Sequence, residues 1–198
     1  MHVLIDLDNV LLNSFSRKDG QTFFYWTQNL KKDLGVEPKT LGQLFTKDFL
    51  LKGPAELYAS VNKYLAYNSI PLSADTFVNY WLEHDSNLNT AVWTWVWDNY
   101  NLKKHTFHIA SDQACLRMDY LLNKFPMWRD VFKKLFTSYS LGVCKNNPLF
   151  FQKVLSELGA PADEVCLIDD NRENITIAAQ LNIKTILFTD STVLHQIF

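Results

Sequence analysis

The chain of 198 residues is long enough for one compact domain, or for a core that carries a small insertion, and 47% of its residues are hydrophobic, which suffices for a substantial interior. Its 19 basic and 21 acidic residues give a formal net charge of −2. No dense run of Lys and Arg occurs, so the composition argues against nucleic acid and against an anionic membrane as partners and leaves a small anionic ligand open.

The cysteines and the N-terminal segment both favour a location inside the cell. Cys115, Cys144 and Cys166 are far apart and show no zinc-site spacing, so we expect reduced, buried thiols. The N-terminal apolar run is short, contains Asp6 and Asp8, and lacks the basic leader of a signal peptide. No apolar run long enough to span a membrane follows. We therefore expect a cytoplasmic protein.

The first strand lies within residues 2–11 and contains two aspartates separated by one residue, Asp6 and Asp8. Side chains at positions i and i+2 of a strand share a face. Two neighbouring carboxylates repel each other and lose solvation, and a bound cation would compensate for that cost. A divalent metal site is one interpretation. The alternative is a surface turn, because Asp and Asn commonly end strands.

The sequence pattern of residues 20–88 predicts helices and no strands. The expected helices lie at 22–34, 41–51, 54–67 and 73–84, and each is bounded by Gly, Pro or Ser. We therefore predict an all-helical cap at 16–87, inserted after the first strand. At that position it would cover the strand ends, where open α/β sheets bind ligands.

The rest of the chain alternates between strands and helices. Residues 89–101 are predicted to be a helix, although Trp93, Trp95 and Trp97 alternate as they would in a strand. Strands are expected at 105–110, 135–138, 164–168 and 184–188, and helices at 112–124, 148–158 and 172–181. This alternation indicates an α/β core, residues 1–15 and 88–198, built on a parallel sheet that is covered on both faces.

Polar groups occur at four places where strands of that sheet would end. They are Asp6 with Asp8, Ser111 with Asp112, Lys145, and Asp169 with Asp170. If the acidic strand ends are neighbours, their carboxylates converge and suit Mg²⁺, which prefers oxygen ligands. Ser111 can donate a hydrogen bond to phosphate, and Lys145 supplies a positive charge. Taken singly, Ser111 is also explained as a helix cap and Lys145 as a solvated lysine.

This set of motifs resembles the haloacid dehalogenase (HAD) superfamily, with the motifs spread over the whole core. Residues 141–148 look like the family's lysine loop and residues 166–174 like its fourth motif. The resemblance implies a Rossmann-like fold with an inserted cap, similar to that of sugar-phosphate phosphatases of the glucose-1-phosphate type. Dehalogenases of the superfamily usually lack a second acid at the position of Asp8, so Asp8 favours phosphoryl transfer.

The resemblance also assigns roles. Asp6 would be the nucleophile that forms an aspartyl-phosphate, and Asp8 the general acid and base. Mg²⁺ would be held by Asp6, by the backbone carbonyl of Asp8 and by the Asp169–Asp170 pair. Phosphate binding would fall to Ser111, Asp112 and Lys145.

The expected function is Mg²⁺-dependent hydrolysis of a small phosphorylated metabolite. A phosphomutase is an alternative, but it needs a basic cluster in the cap, where the lysines are dispersed. Another alternative is an interaction protein of the same fold, with little catalytic activity, that mainly binds a partner through its aromatic insertion. The sequence specifies neither the substrate nor the oligomeric state.

Overall fold

The computed structural model describes residues 1–18 and 21–196. Its strands, in chain order, are β1 (His2–Ile5), β2 (Phe15–Lys18), β3 (Gln21–Phe24), β4 (Thr106–Ser111), β5 (Phe132–Thr137), β6 (Val165–Asp169) and β7 (Lys184–Leu187). Five of them form a parallel sheet in the order β5-β4-β1-β6-β7. Strand β1 is central, and its residues Val3, Leu4 and Ile5 are fully buried, as expected for a strand that is covered on both faces.

The α-helices pack on both faces of the sheet and build most of the insertion. They are α1 (Leu30–Leu34), α2 (Lys47–Leu50), α3 (Pro54–Tyr67), α4 (Ala74–His84), α5 (Thr90–Asn101), α6 (Cys115–Lys124), α7 (Trp128–Val131), α8 (Ser138–Leu141), α9 (Pro148–Leu158) and α10 (Arg172–Gln180). Short 3-10 helices lie at Tyr25–Thr27, Pro38–Gln43, Ala162–Glu164 and Ser191–Gln196. The predicted Rossmann-like α/β class is confirmed. In the part of the chain that the structure describes, no helix is both long and apolar enough to cross a lipid bilayer.

The insertion is not all-helical, so that part of the prediction is wrong. Strands β2 and β3 form an antiparallel hairpin in which Phe15 is opposite Phe24. A helix is predicted at 22–34, but the first residues of this range belong to strand β3 of the hairpin. Within the range, only α1 is α-helical. Thr22, Phe23 and Phe24 are residue types that favour strands, and cross-strand pairing decides between strand and helix here. Residues 19 and 20, within the predicted cap, lie outside the described residues.

Other predicted elements differ in their bounds. The helix predicted at 41–51 is replaced by a 3-10 helix, Pro38–Gln43, followed by the short α2. Thr46 stops a continuous helix there, because its backbone is extended and its Oγ1 caps α2 by accepting a hydrogen bond from the amide of Phe49. Strand β1 ends at Ile5, so Asp6 and Asp8 lie in the loop that follows it. Helix α6 begins at Cys115, later than the predicted 112, and α7 and α8 were not predicted.

The tryptophans of residues 89–101 lie on helix α5, which settles the ambiguity of their alternating pattern. Trp93 and Trp95 are partly buried and pack against the core under one face of the sheet. A second hydrophobic cluster lies mainly in the insertion, where Trp26, Phe77 and Trp81 belong to it, and it also includes Ala114 of the core. The boundaries of the two units, 1–15 with 88–198 and 16–87, stay a prediction.

Candidate active site

Three polar residues meet at one edge of the sheet because their strands are parallel neighbours. Ile5, the last residue of β1, is in register with Ile109 of β4 and with Ile168 of β6. Asp6 follows β1 directly, Ser111 ends β4 and Asp169 ends β6. All three side chains are therefore brought to the carboxyl edge, and each residue is at most 5% exposed.

Lys145 lies at the centre of this cluster. Its Nζ is 2.8 Å from Asp6 Oδ2 and 2.7 Å from Asp169 Oδ2, and its backbone amide donates a 2.9 Å hydrogen bond to Asp112 Oδ1. Burial by itself lowers the pKa of Lys145, but the attraction of Asp169 and Asp6 outweighs it and raises the pKa. Lys145 therefore stays charged, and the interpretation of this residue as a solvated lysine is wrong.

Asp6, Asp169 and Asp170 form a group that could hold a metal ion, with one carboxylate oxygen of each within 4.8 Å of the others. Burial raises the pKa of Asp6 well above its usual value, and Lys145 only partly offsets this effect. Two of these carboxylates, Asp6 and Asp169, contact the single cation Lys145, and the Asp170 carboxylate lies within 4.8 Å of theirs, so a divalent cation would balance the remaining negative charge. The donor set is all oxygen, which fits a hard cation such as Mg²⁺.

Asp169 is oriented by residues that follow it in the chain. Its Oδ1 accepts a 2.8 Å hydrogen bond from the amide of Asn171, and Asn174 Nδ2 lies 3.2 and 3.1 Å from the two carboxylate oxygens. Asn171 also caps helix α10 through the amide of Glu173. This capping role of Asn171 is compatible with a role of the neighbouring acids in a site.

The carboxylate of Asp8 has a separate set of partners. Ser14 Oγ donates to its Oδ1 at 2.6 Å and Gln113 Nε2 to its Oδ2 at 2.6 Å. Arg117 binds both oxygens, with Nη2 2.8 Å from Oδ1 and Nη1 3.0 Å from Oδ2. Burial acts to raise the pKa of Asp8, but Arg117 together with Ser14 and Gln113 outweighs that effect, so the pKa is lowered and Asp8 is ionised.

The loop that carries Asp8 depends on Asn9. Asn9 has a φ of 60°, in the left-handed region, which Asn adopts more readily than most residues. Its Oδ1 accepts a 3.0 Å hydrogen bond from the amide of Phe15, at the start of the hairpin. The turn therefore directs the chain from the sheet into the insertion immediately beside Asp8.

Arg117 was not identified from the sequence. It is 3% exposed and also reaches the insertion, with Nη2 3.2 Å from Asp85 Oδ2 and 2.9 Å from the Asp85 carbonyl oxygen. A signal was present, because Arg117 lies four residues before the buried Leu121 and so falls on the apolar stripe of α6. A charged residue on such a stripe predicts a buried partner, but the sequence does not say which acid that partner is.

Asp85 joins the insertion to this cluster at the end of α4. Its Oδ2 accepts a 3.1 Å hydrogen bond from Trp81 Nε1. Burial raises the pKa of Asp85 to about 7, with Arg117 acting against that rise and Asp8 adding to it. One guanidinium thus holds a carboxylate of the core and a carboxylate of the insertion.

Ser111 and Asp112 lie between the two clusters. Ser111 Oγ accepts a 3.2 Å hydrogen bond from Gln113 Nε2, the same nitrogen that contacts Asp8. Burial raises the pKa of Asp112, although Lys145 opposes the rise. The residues selected from the sequence therefore fall into two connected clusters, one around Lys145 and one around Arg117.

Solved structures of HAD family enzymes share this architecture. A HAD family enzyme of Bacteroides thetaiotaomicron, in complex with magnesium and inorganic phosphate, has a TM-score of 0.74 at 22% identity, over 93% of this chain and 92% of that one. A HAD-like family hydrolase of Porphyromonas gingivalis has a TM-score of 0.69 at 18% identity, over 93% and 89%. For a 2-haloacid dehalogenase of Pseudomonas syringae these values are 0.62 and 15%, over 94% and 85%. The chain therefore has the HAD-like fold, as its motifs predict.

Part of the chain is similar in sequence to a fungal enzyme. Drimenol cyclase of Aspergillus calidoustus is 37% identical over 68 residues, which are 34% of this chain and 13% of that protein. The match thus spans a small share of the cyclase. No protein family model matches the chain.

Proposed function

We propose that this protein is a Mg²⁺-dependent phosphomonoester hydrolase that acts on a small phosphorylated metabolite through an aspartyl-phosphate on Asp6. The observation that carries the proposal is the buried cluster in which Asp6 and Asp169 both contact Lys145, next to Asp170. Such a cluster combines a nucleophile, a cation that attracts phosphate and acids for a metal. The magnesium and phosphate bound to the neighbour of the same fold support it.

The metal ligands in this proposal are Asp6, Asp169 or Asp170, and the backbone carbonyl of Asp8. When bound, Mg²⁺ screens the repulsion between the carboxylates and the phosphate and stabilises charge that develops on the phosphoryl oxygens. Asn174 keeps the Asp169 carboxylate in one orientation. Loss of a supporting hydrogen bond of this kind typically lowers metal affinity or activity by about 10–100-fold.

The proposed reaction has two steps, and Asp6 and Asp8 have different roles in it. A carboxylate oxygen of Asp6 forms a bond to phosphorus while the bond to the alcohol oxygen breaks. Asp8, which is ionised in the free protein, takes up a proton from solvent when the ester binds and gives that proton to the departing oxygen. Water then attacks the phosphorus of the aspartyl-phosphate and gives a proton to Asp8, and inorganic phosphate leaves with the Asp6 carboxylate restored. Arg117 keeps Asp8 ionised, which is the form that accepts the proton of water.

The phosphate-binding residues in the proposal are Ser111, Asp112 and Lys145. Lys145 provides a fixed positive charge for the transferring phosphoryl group, and Ser111 Oγ provides a hydrogen-bond donor. Asp112 acts indirectly, because its Oδ1 accepts the hydrogen bond from the Lys145 amide and fixes the loop that carries the lysine. The acid at position 8 favours phosphoryl transfer over dehalogenation.

The test uses p-nitrophenyl phosphate with Mg²⁺ and the variants Asp6→Asn and Asp8→Asn. Asp6→Asn should abolish turnover and form no phosphoenzyme, because an amide is a poor nucleophile. Asp8→Asn should slow the second step most, since this leaving group needs little protonation, so phosphoenzyme should accumulate. The exposed Asp163 provides the matched control, Asp163→Asn, which should leave turnover unchanged.

Borohydride trapping followed by peptide mapping identifies the acylated residue. Reduction at Asp6 is the expected result, and a label on Asp8, Asp169 or Ser111 would overturn the mechanism. Release of halide from 2-chloropropionate without phosphate release from any ester would instead assign the site to dehalogenation.

A further inference from the structure

A large apolar cavity adjoins Asp8, on the side where the proposed mechanism has the leaving group. Its volume is about 560 Å³, within the range of roughly 300–1,000 Å³ that is common for small-molecule sites. Most of its apolar lining comes from the hairpin and the rest of the insertion. The apolar residues are Phe15, Phe23, Phe24, Trp26, Pro38, Leu41, Phe45, Leu50 and Trp81.

Five of the polar residues that line the cavity are committed to one another. Asp8, Asp85 and Arg117 are joined by ion pairs, and Ser14 and Gln113 donate to Asp8. Of the other polar lining residues, Thr27 and Asp112 are hydrogen-bonded outside this group, and Thr22 and Lys39 are exposed. A sugar or a nucleoside bound here would bring hydroxyl and amide groups that need partners of their own. Each polar group buried without a partner costs about 1–3 kcal/mol in proteins, so such a ligand fits this lining poorly.

The cavity also explains two aromatic side chains that the fold leaves half exposed. Phe23 is 50% exposed and Phe24 46% exposed, and both line the cavity. Neighbouring exposed aromatics beside a site are typical of a ligand-binding surface. A ligand with an apolar group would cover them, and its contact area would add to the affinity.

We propose that this cavity receives the organic group of the substrate and that this group is hydrophobic, so that the substrate is an aromatic or long-chain alkyl phosphate rather than a sugar phosphate or a nucleotide. The inference rests on the proposed function for the position of the phosphoryl group at Asp6. It departs from the sugar-phosphate substrates that the family resemblance suggests. The chemistry of the lining, and not the strand-end motifs, carries it.

The test measures binding separately from turnover. Methylphosphonate and n-octylphosphonate cannot be hydrolysed, and they share a head group and differ in apolar length. Each is titrated into the full chain with Mg²⁺, and tryptophan fluorescence reports binding because Trp26 and Trp81 line the cavity. A buried methylene is worth on the order of threefold in affinity. The octyl compound should therefore bind at least tenfold more tightly, and equal affinities would overturn the proposal.

Phe23→Ala provides a local check, because this half-exposed side chain contributes little to the folded core. The variant should weaken n-octylphosphonate binding about fivefold and leave methylphosphonate binding unchanged. Leu149→Ala is the control, since Leu149 is 44% exposed and lies outside the cavity lining. An equal loss in both variants, or no loss in either, would contradict the assignment of the cavity.

Turnover then distinguishes this proposal from the proposed function. Phosphate release from n-octyl phosphate with a kcat/KM at least tenfold above that for glycerol 3-phosphate or glucose 6-phosphate supports both. Hydrolysis that favours the polar esters keeps the phosphatase and overturns the apolar substrate. Tight binding of n-octylphosphonate without hydrolysis of any ester overturns the phosphatase and supports an apolar cavity that binds amphipathic anions.

Discussion

Removal of the Arg117 guanidinium is expected to destabilise the protein in a way that depends on pH. Arg117→Met keeps a long, flexible side chain in the buried position and leaves two carboxylates, Asp8 and Asp85, without their cation. Breaking a buried ion pair by removing one partner typically costs about 3–5 kcal/mol. Asp8 keeps its hydrogen bonds from Ser14 and Gln113, so we expect a loss near the lower bound, about 3 kcal/mol, at pH 8.

The loss should shrink as the pH falls. The pKa of Asp85 is already raised to about 7 with Arg117 present, and it rises further once the positive charge is gone. A carboxyl group whose pKa is higher in the folded than in the unfolded protein destabilises the folded state at a pH above its folded pKa, where it is ionised. This destabilisation disappears at lower pH, once the group is protonated in both states. At pH 5.5 Asp85 is protonated, and the uncompensated charge is that of Asp8 alone.

The assay is urea unfolding followed by tryptophan fluorescence at pH 8 and pH 5.5. With an m-value of about 3 kcal/mol/M, the loss of about 3 kcal/mol shifts the midpoint by about 1 M. Arg129→Met is the matched control, because Arg129 is exposed and should change the stability by less than about 0.5 kcal/mol. A loss at pH 8 no larger than that of the control, or equal losses at both pH values, would refute the reasoning.

Three further predictions concern the metal site and the interior. Turnover should require Mg²⁺ or Mn²⁺ and be inhibited by Ca²⁺, whose looser coordination misplaces the nucleophile; full turnover in excess EDTA would exclude a metal. Asn174→Ala should raise the Mg²⁺ concentration for half-maximal activity about 10–100-fold, because Asp169 loses its orienting hydrogen bonds, and an unchanged Mg²⁺ requirement would contradict this role. Burial, with the nearby His2, lowers the pKa of His108 to about 4. The contribution of neutral His108 to the free energy of unfolding is therefore complete above about pH 6.5 and falls by about 2–3 kcal/mol by pH 4. In His108→Gln the free energy of unfolding should depend less on pH over that range. An equally strong pH dependence in the variant would exclude His108 as the cause.

The sequence by itself determined the α/β core and the residues at the strand ends. Runs of apolar residues that end in acids, as at Asp6 and Asp169, identify buried parallel strands whose carboxyl ends share an edge. Helices whose ends are marked by typical start and stop residues were also predictable. Helix α3, for example, begins at Pro54, because proline fits the first helical turn. Both kinds of signal come from residues that are neighbours in the sequence, and the elements that they predict are the ones that the fold contains.

The tertiary structure decided whatever depends on partners distant in the chain. The hairpin forms because β2 and β3 pair, although residues 22–34 read alone predict a helix. Lys145 is a buried member of the site only because Asp6 and Asp169 surround it, and nothing in its own segment distinguishes it from a solvated lysine. Arg117 meets Asp8 across 109 positions. Burial and electrostatic pairing are properties of the assembled fold, so a single segment predicts which groups are available and not which of them meet.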